Sequence, residues 1–190
     1  MSKKIVVIAI VLLGLAAGYA VSAQEAKVII GPTLFEECAH AASEAQRTGA
    51  VDHLSVATCT DAIEHSWATL SERALAFLDR GSLYRVRGDT ELAVGDFTRA
   101  IQANPSLAAA YNDRGAAYSA LHRPAEAVRD FTQALALRAE DADQVLFNRA
   151  LAYEDLGEPK KAYLDYRAAA EKNPSWDLPV KQLARFSVGQ

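Results

Sequence analysis

Two cysteines, four histidines and a recurring arginine–aspartate pattern are the groups in this sequence with the means to do chemistry. Cys38 and Cys59 are the only cysteines. They lack the close Cys-x-x-Cys spacing that lowers a thiol pKa in redox centres. Cys38, His40, Cys59 and His65 together match no usual zinc-ligand spacing. The pair reads instead as a structural disulfide, with a redox couple or a metal site as the competing readings. The remaining histidines, His53 and His122, have no serine or cysteine partner at a telling distance. There is no glycine-rich phosphate loop and no HExxH. No catalytic set, metal site or cofactor is therefore expected, and the chain does not read as an enzyme. Arg80, Arg114 and Arg149 recur in step, as do Asp96, Asp130 and Asp165. A feature with the period of the framework serves the framework, so each arginine is expected to pair with an aspartate of its own or a neighbouring helix.

Those groups must be held by helices. Thr33 and Glu36 form a capping-box pattern, predicting a helix over 34–47 that stops at Thr48-Gly49. Asp52 then caps a predicted helix over 53–65. In the resulting hairpin Cys38 and Cys59 lie at similar heights, since a helix rises about 1.5 Å per residue. A second capping-box pattern, Thr69 with Glu72, opens the next segment. Trp67 and Trp176 flank that segment at its two ends and read as packing residues.

Between Ala74 and Pro174 one pattern is written three times. Gly81 and Gly115 are 34 residues apart, and Ala150 stands 35 further on. Tyr84, Tyr118 and Tyr153 keep this step, as do Ala93, Ala127 and Ala162. Phe97, Phe131 and Tyr166 follow, then Ala100, Ala134 and Ala169. Within each unit the columns are three or four residues apart, the spacing of neighbours on one helix face. Gly88, His122-Arg123 and Gly157 mark the turns inside the units. Pro124 and Pro159 suit the first turn of a helix, where a missing N–H costs nothing. Asn104-Pro105-Ser106 and Asn173-Pro174 end units one and three, because proline cannot continue a helix. The extra residue before unit three falls in the loop-like stretch Ala139-Glu140-Asp141-Ala142-Asp143. A last helix is predicted from Ser175 to about Val188, with Trp176, Val180 and Leu183 facing the array.

A 34-residue helix–turn–helix unit carrying Gly, Tyr, Ala, Phe, Ala and a closing Pro resembles the tetratricopeptide repeat. The resemblance covers residues 74–107, 108–141 and 143–176. Residues 33–70 resemble a decayed repeat, with Cys59 and Ala62 at the spacing of the Phe and Ala columns, and residues 177–190 a capping helix. The fold class implied is all-α, an α-solenoid of stacked antiparallel helix pairs. One helix pair cannot bury its apolar face alone, so stacking builds the core and the ends need caps. Two departures stand out: Ala139-Glu140 replaces the closing proline of unit two, and Ala150 replaces glycine.

The resemblance also implies a concave, partner-binding face on the first helix of each unit. Its positions would be Leu75, Leu78, Asp79, Ser82 and Arg85 in unit one. They would be Asn112, Asp113, Ala116 and Ser119 in unit two, and Gln144, Phe147, Asn148, Leu151 and Asp155 in unit three. Asn112 and Asn148 can donate to and accept from an extended peptide backbone. Some relatives hold a C-terminal carboxylate there with lysines; Leu78 and Gln144 occupy two such places here, which argues against that clamp.

Composition places the module. The formal net charge is −4, and the chain past Ala23 would carry 18 basic against 24 acidic residues. An acidic chain without a basic tract does not fit nucleic acid, which needs clustered Lys and Arg to displace counterions. Residues 1–23 read as a secretory signal: Lys3-Lys4, an apolar run from Ile5 to Ala20, then Val21-Ser22-Ala23 before a cut at Gln24. The competing reading is a retained anchor over residues 5–23. Residues 24–32 read as an irregular lead-in. Both readings put the repeats outside the cytoplasm, periplasmic or secreted, or membrane-anchored and facing out, where a disulfide persists. With the signal and the cysteine pair, the whole also resembles secreted repeat proteins of bacterial envelopes. The expected function is a non-catalytic protein–protein interaction module or scaffold holding a peptide or protein partner. The alternative is a membrane-anchored accessory or assembly factor of an envelope complex.

Overall fold

The computed structural model describes residues 33–64 and 68–186. The apolar stretch 5–23, the lead-in 24–32, His65 and Trp67 lie outside the described residues. Among the described residues the secondary structure is entirely helical: α1 (Leu34–Thr48), α2 (Ser55–Glu64), α3 (Leu70–Arg87), α4 (Thr90–Ala103), α5 (Ala108–Ala120), α6 (Pro124–Ala136), α7 (Ala142–Asp155), α8 (Pro159–Lys172) and α9 (Asp177–Phe186). They belong to one unit beginning at Leu34. Each helix packs on the next, and the first helices of successive pairs, α1, α3, α5 and α7, also touch in turn. The described part is thus an all-α solenoid whose inner layer is α1–α3–α5–α7.

Local chemistry sets the boundaries. The Thr69 hydroxyl accepts from the Glu72 N–H at 3.1 Å, and the Glu72 carboxylate accepts from the Thr69 N–H at 2.9 Å, a reciprocal capping box. Gly88 ends α3 in the left-handed region, φ 91°. Gly157 does the same after α7, whereas the equivalent place after α5 is held by His122 at φ 55°. Pro124 and Pro159 occupy the first turns of α6 and α8. Helix α2 begins at Ser55, two residues later than the sequence suggests, because Asp52 closes a turn first: its carbonyl accepts from the Ser55 N–H at 3.1 Å.

The core is built from the repeating columns. Ala93, Phe97, Ala100, Ala127, Phe131, Ala134, Ala162, Tyr166 and Ala169 are all fully buried. Glycine at the paired position is required in two units. A Cβ on Gly81 would lie 2.6 Å from the Phe97 ring, and one on Gly115 2.8 Å from Phe131. Unit three instead accommodates Ala150 against Tyr166, both buried in one cluster. Glycine and alanine are therefore not interchangeable in units one and two, although both are small.

The two ends are closed differently. At the N-terminal end Cys38 and Cys59 form a disulfide, Cα–Cα 4.8 Å, buried among Ala42, Ala45, Ala62, Ala76 and Leu83. At the other end α9 lays Pro179, Leu183 and Phe186 toward the array, with Leu183 and Phe186 on the cluster around Tyr166. Val180, expected to face the array, is 53% exposed. The helix starts at Asp177, so the stripe at positions i, i+4 and i+7 begins on Pro179 and turns Val180 outward. Trp176 precedes the helix and packs its ring on Phe147, centroids 4.8 Å apart.

Candidate functional site

The arginine column is a clamp and not a binding strip. Arg80, Arg114 and Arg149 each direct Nε to an aspartate of the second helix of their own pair, Asp96, Asp130 and Asp165, at 2.7 Å in every case. The second guanidinium nitrogen closes a bidentate pair at 3.0, 2.9 and 2.8 Å. These hydrogen bonds, offset by burial, raise the pKa of all three arginines. The third nitrogen, Nη1, reaches back one unit, to Thr60, Thr98 and Thr132, at 2.9, 3.1 and 3.1 Å. Each threonine hydroxyl in turn donates to the carbonyl of Val56, Val94 or Val128. The guanidinium of Arg114 also lies 5.8 Å from the ring centroids of both Tyr111 and Tyr118. One side chain thus ties two helices of its own unit and one of the unit before. The Arg–Asp pairing was legible in the sequence, and the Val–Thr column that completes it was not.

With those arginines spent on the framework, the inner layer is polar and short of cations. Asp79 of α3 and Asp113 of α5 occupy the same repeat position, which Asn148 takes in α7. They line the seam between successive inner helices. The disulfide sulfur of Cys38 lies 4.0 Å from Asp79 Oδ2, a van der Waals contact. Burial, reinforced by the charge of Asp113, lifts the Asp79 pKa to about 6. Burial likewise lifts Asp113 to about 6; the attraction of Arg85 and a hydrogen bond from Ser82 oppose this, and Asp141 adds to it. Among the described residues neither carboxylate has a cation within 4.0 Å, whereas Asp96, Asp130 and Asp165 each do. Asn112 donates Nδ2 to Asp141 at 3.0 Å, while its Oδ1 is buried without a partner. Arg85 Nε is also buried without a partner.

The expected groove residues therefore divide. Asp79, Arg85, Asn112, Asp113, Ser119 and Asn148 are partly exposed on the inner helices, and Gln144 and Asp155 are exposed. Leu75 and Leu151 add apolar surface, 49% and 41% exposed. Ser82 is 2% exposed and serves Asp113 from below. Leu78, Ala116 and Phe147 are half-buried and packed onto core clusters. Asn112 and Asn148 are not equivalent: Asn112 falls in the column of Leu78 and Phe147, and its amide already ties α5 to the start of α7. Among the described residues no group of three or more His, Cys, Asp and Glu is placed to hold a metal, and both cysteines are consumed by the disulfide.

The geometry meets its parallels in known proteins. Two family models described as tetratricopeptide repeat match residues 108–141 and 143–176. Residues 108–141 and 143–176 are tetratricopeptide repeats. Among solved structures, the first repeat domain of Spaghetti (RPAP3), bound to the HSP90 peptide SRMEEVD, is 26% identical over 62% of this chain and 92% of its own, TM-score 0.59. The second repeat domain of human RPAP3, in complex with the HSP70 peptide SGPTIEEVD, is 27% identical over 60% and 94%, TM-score 0.57. MamA shares the fold, 20% identical over 76% of this chain and 81% of its own, TM-score 0.62. Comparison with curated proteins gives no match. The family models leave out residues 74–107, yet Gly81 under Phe97 and the Arg80–Asp96 clamp repeat the geometry of the matched tetratricopeptide units.

Proposed function

We propose that this tetratricopeptide-repeat protein is a non-catalytic interaction module that holds a peptide or protein partner on the inner layer formed by α1, α3, α5 and α7. The observation that carries the reading is the state of that layer. Arg80, Arg114 and Arg149 are committed to the framework; among the described residues Asp79 and Asp113 have no cation within ion-pair distance, and Asn112 Oδ1 is buried without a hydrogen bond. Beside them Leu75 and Leu151 are exposed. Polar groups short of partners next to apolar surface suit an extended segment, whose backbone supplies donors and acceptors. Peptide-bound neighbours above 25% identity support the same class of work.

The module acts outside the cytoplasm in this proposal, delivered by residues 1–23 and starting at Gln24. The Cys38–Cys59 disulfide supports that compartment. Among the described residues no helix is long and apolar enough to cross a membrane.

The test is affinity capture from envelope extract with a photo-crosslinker at Asn148 or at Gln133 of α6. Recovery of the same partner from Asn148 and not from Gln133 supports the inner layer; equal recovery, or recovery from Gln133 alone, sinks it. N-terminal sequencing of the exported chain decides the leader, since a start at Met1 or Ser2 means a retained anchor and an accessory of a membrane complex.

A further inference from the structure

The closing helix α9 is built as the first helix of a further unit. The turn leading into it repeats the turn before α5. Ser106 Oγ donates to Asn104 Oδ1 at 2.7 Å, and the Leu107 N–H donates to the Asn104 carbonyl at 3.1 Å. Ser175 Oγ donates to Asn173 Oδ1 at 2.7 Å, and the Trp176 N–H donates to the Asn173 carbonyl at 3.1 Å. This register sets Asp177 of α9 on Ala108 of α5, and so Phe186 on Ala117. The packing agrees: Ala117 lies in the cluster of Phe97 from the unit before, and Phe186 in the cluster of Tyr166 from the unit before.

The same register puts Val180 in the column of Phe77, Tyr111 and Leu146, and Ala184 in the column of Gly81, Gly115 and Ala150. In units one to three the second helix covers those columns and lays the ring of Phe97, Phe131 or Tyr166 against the small residue. On α9 the stripe faces outward: Val180 is 53% exposed and Ala184 is exposed. Among the described residues no helix follows α9. The charged residues beside the stripe, Asp177 and Lys181, pair with each other at 2.5 Å. A helix that only closes an array presents a polar outer face; this one presents the apolar stripe that each unit reserves for its second helix.

Leu183 marks the difference from the units before. It falls in the column of Arg80, Arg114 and Arg149 and packs on the Tyr166 cluster. A second helix carrying the aspartate of Asp96, Asp130 or Asp165 would bury that charge there without its arginine, which is costly. Ala184 makes unit three the template for the ring, since Ala150 already meets Tyr166.

We propose that the outward stripe of α9 docks a helix of a partner protein that carries an Ala-x3-aromatic-x2-Ala stripe, like Ala162, Tyr166 and Ala169 of α8, with an uncharged residue in place of Asp165. The occupant follows from continuity with the interfaces inside the chain, where the same columns take such a helix in every unit. This site lies apart from the inner layer and goes beyond the groove reading.

The probe is a fluorescent, helix-stapled peptide of Pro159–Lys172 with Asp165→Asn, the staple placed away from Ala162, Tyr166 and Ala169. Anisotropy with the full chain is expected to show saturable binding, weakened roughly tenfold or more by Val180→Asp in the chain and by Tyr166→Ala in the peptide. The peptide that keeps Asp165 binds more weakly by a similar factor. Val180 is exposed, so Val180→Asp keeps the wild-type melting temperature. Should that variant disturb α9, the peptide series decides, because it leaves the chain unchanged. No saturable binding up to roughly 1 mM, or binding indifferent to both Val180→Asp and Tyr166→Ala, overturns the proposal. Dimerisation of the chain that Val180→Asp abolishes, with no peptide bound, assigns the stripe to a second copy and also overturns it. Equal binding of the peptide that keeps Asp165 overturns the uncharged requirement.

Discussion

The hydroxyl of Thr60 accepts a hydrogen bond from Arg80 Nη1 at 2.9 Å, as Thr98 accepts from Arg114 and Thr132 from Arg149 at 3.1 Å. The equivalence identifies α2 as the second helix of a unit preceding the first intact one. Cys59 precedes Thr60 as Phe97 precedes Thr98 and Phe131 precedes Thr132, so the buried disulfide to Cys38 stands where the other units stack an aromatic ring on glycine. The inter-unit threonine is predicted to be a stability determinant. Thr98→Val keeps the shape and removes the acceptor, leaving Arg114 Nη1 half-buried and short one bond. A loss of about 1 kcal/mol in urea unfolding is expected. No loss means water replaces the hydroxyl at no cost.

The disulfide makes a second prediction. Its two cysteines are 21 residues apart, which in the loop-entropy account stabilises by about 3 kcal/mol. Cys38→Ser/Cys59→Ser therefore loses stability by that order, and dithiothreitol lowers the wild-type melting temperature in the same way. Cys38→Gly/Cys59→Phe rebuilds the glycine–aromatic stack of the neighbouring units and melts higher than the double serine variant, with no response to reductant. A glycine–phenylalanine variant no better than the serine one means the positional equivalence does not extend to packing.

Much of this was legible before any coordinates. The Gly, Tyr, Ala, Phe and Ala columns repeat in phase because each occupies a contact that recurs with every unit. The Arg–Asp pair lies sixteen residues apart inside one unit, and the cysteines inside one hairpin. The threonine column escaped because it acts across units, and a longer link puts Thr60 38 residues from Thr98, out of phase with the rest. A hydroxyl on a helix also reads as a solvated residue until the arginine that needs it is placed. Val180 points away from the array because the buried stripe reaches Leu183 from Pro179, four residues before it, and Val180 lies one residue, about 100°, off that stripe. The burial of Ser82 and the strain between Asp79 and Asp113 depend on how closely α3 and α5 approach, a distance set by stacking and not by either segment alone.

Two backbone positions carry opposite expectations. Gly115→Ala drives a methyl to 2.8 Å from the fully buried Phe131 ring, so the ring must move inside a filled core. A loss of about 1–3 kcal/mol is expected. His122 sits at φ 55° where the matching turns use Gly88 and Gly157. His122→Gly removes that cost and gains up to about 1 kcal/mol, discounted by the greater freedom glycine gives the unfolded chain. Thermal melting reads both, and a stabilised Gly115→Ala or a strongly destabilised His122→Gly contradicts the packing and turn assignments respectively.

The Asp79–Asp113 pair gives a pH signature with a fixed sign. Burial, then their mutual charge, lifts Asp79 to about 6, and burial lifts Asp113 to about 6, above the usual aspartate value near 4. A carboxyl whose folded pKa is raised binds protons more tightly when folded, so its contribution falls as pH rises from about 4 to about 6 and stays at its lowest above. At pH 7.5 both groups are ionised and unfavourable. Asp113→Asn removes one charge and relieves the other, so it melts higher than wild type at that pH, by an amount of order 1–2 kcal/mol. The gain shrinks through the window from about 6 to about 4 as the wild-type carboxyls take up protons. Comparing variant with wild type at each pH cancels the exposed carboxylates common to both. An Asp113→Asn protein that melts lower than wild type at pH 7.5 means Arg85 and Ser82 hold the charge more strongly than burial and repulsion oppose it.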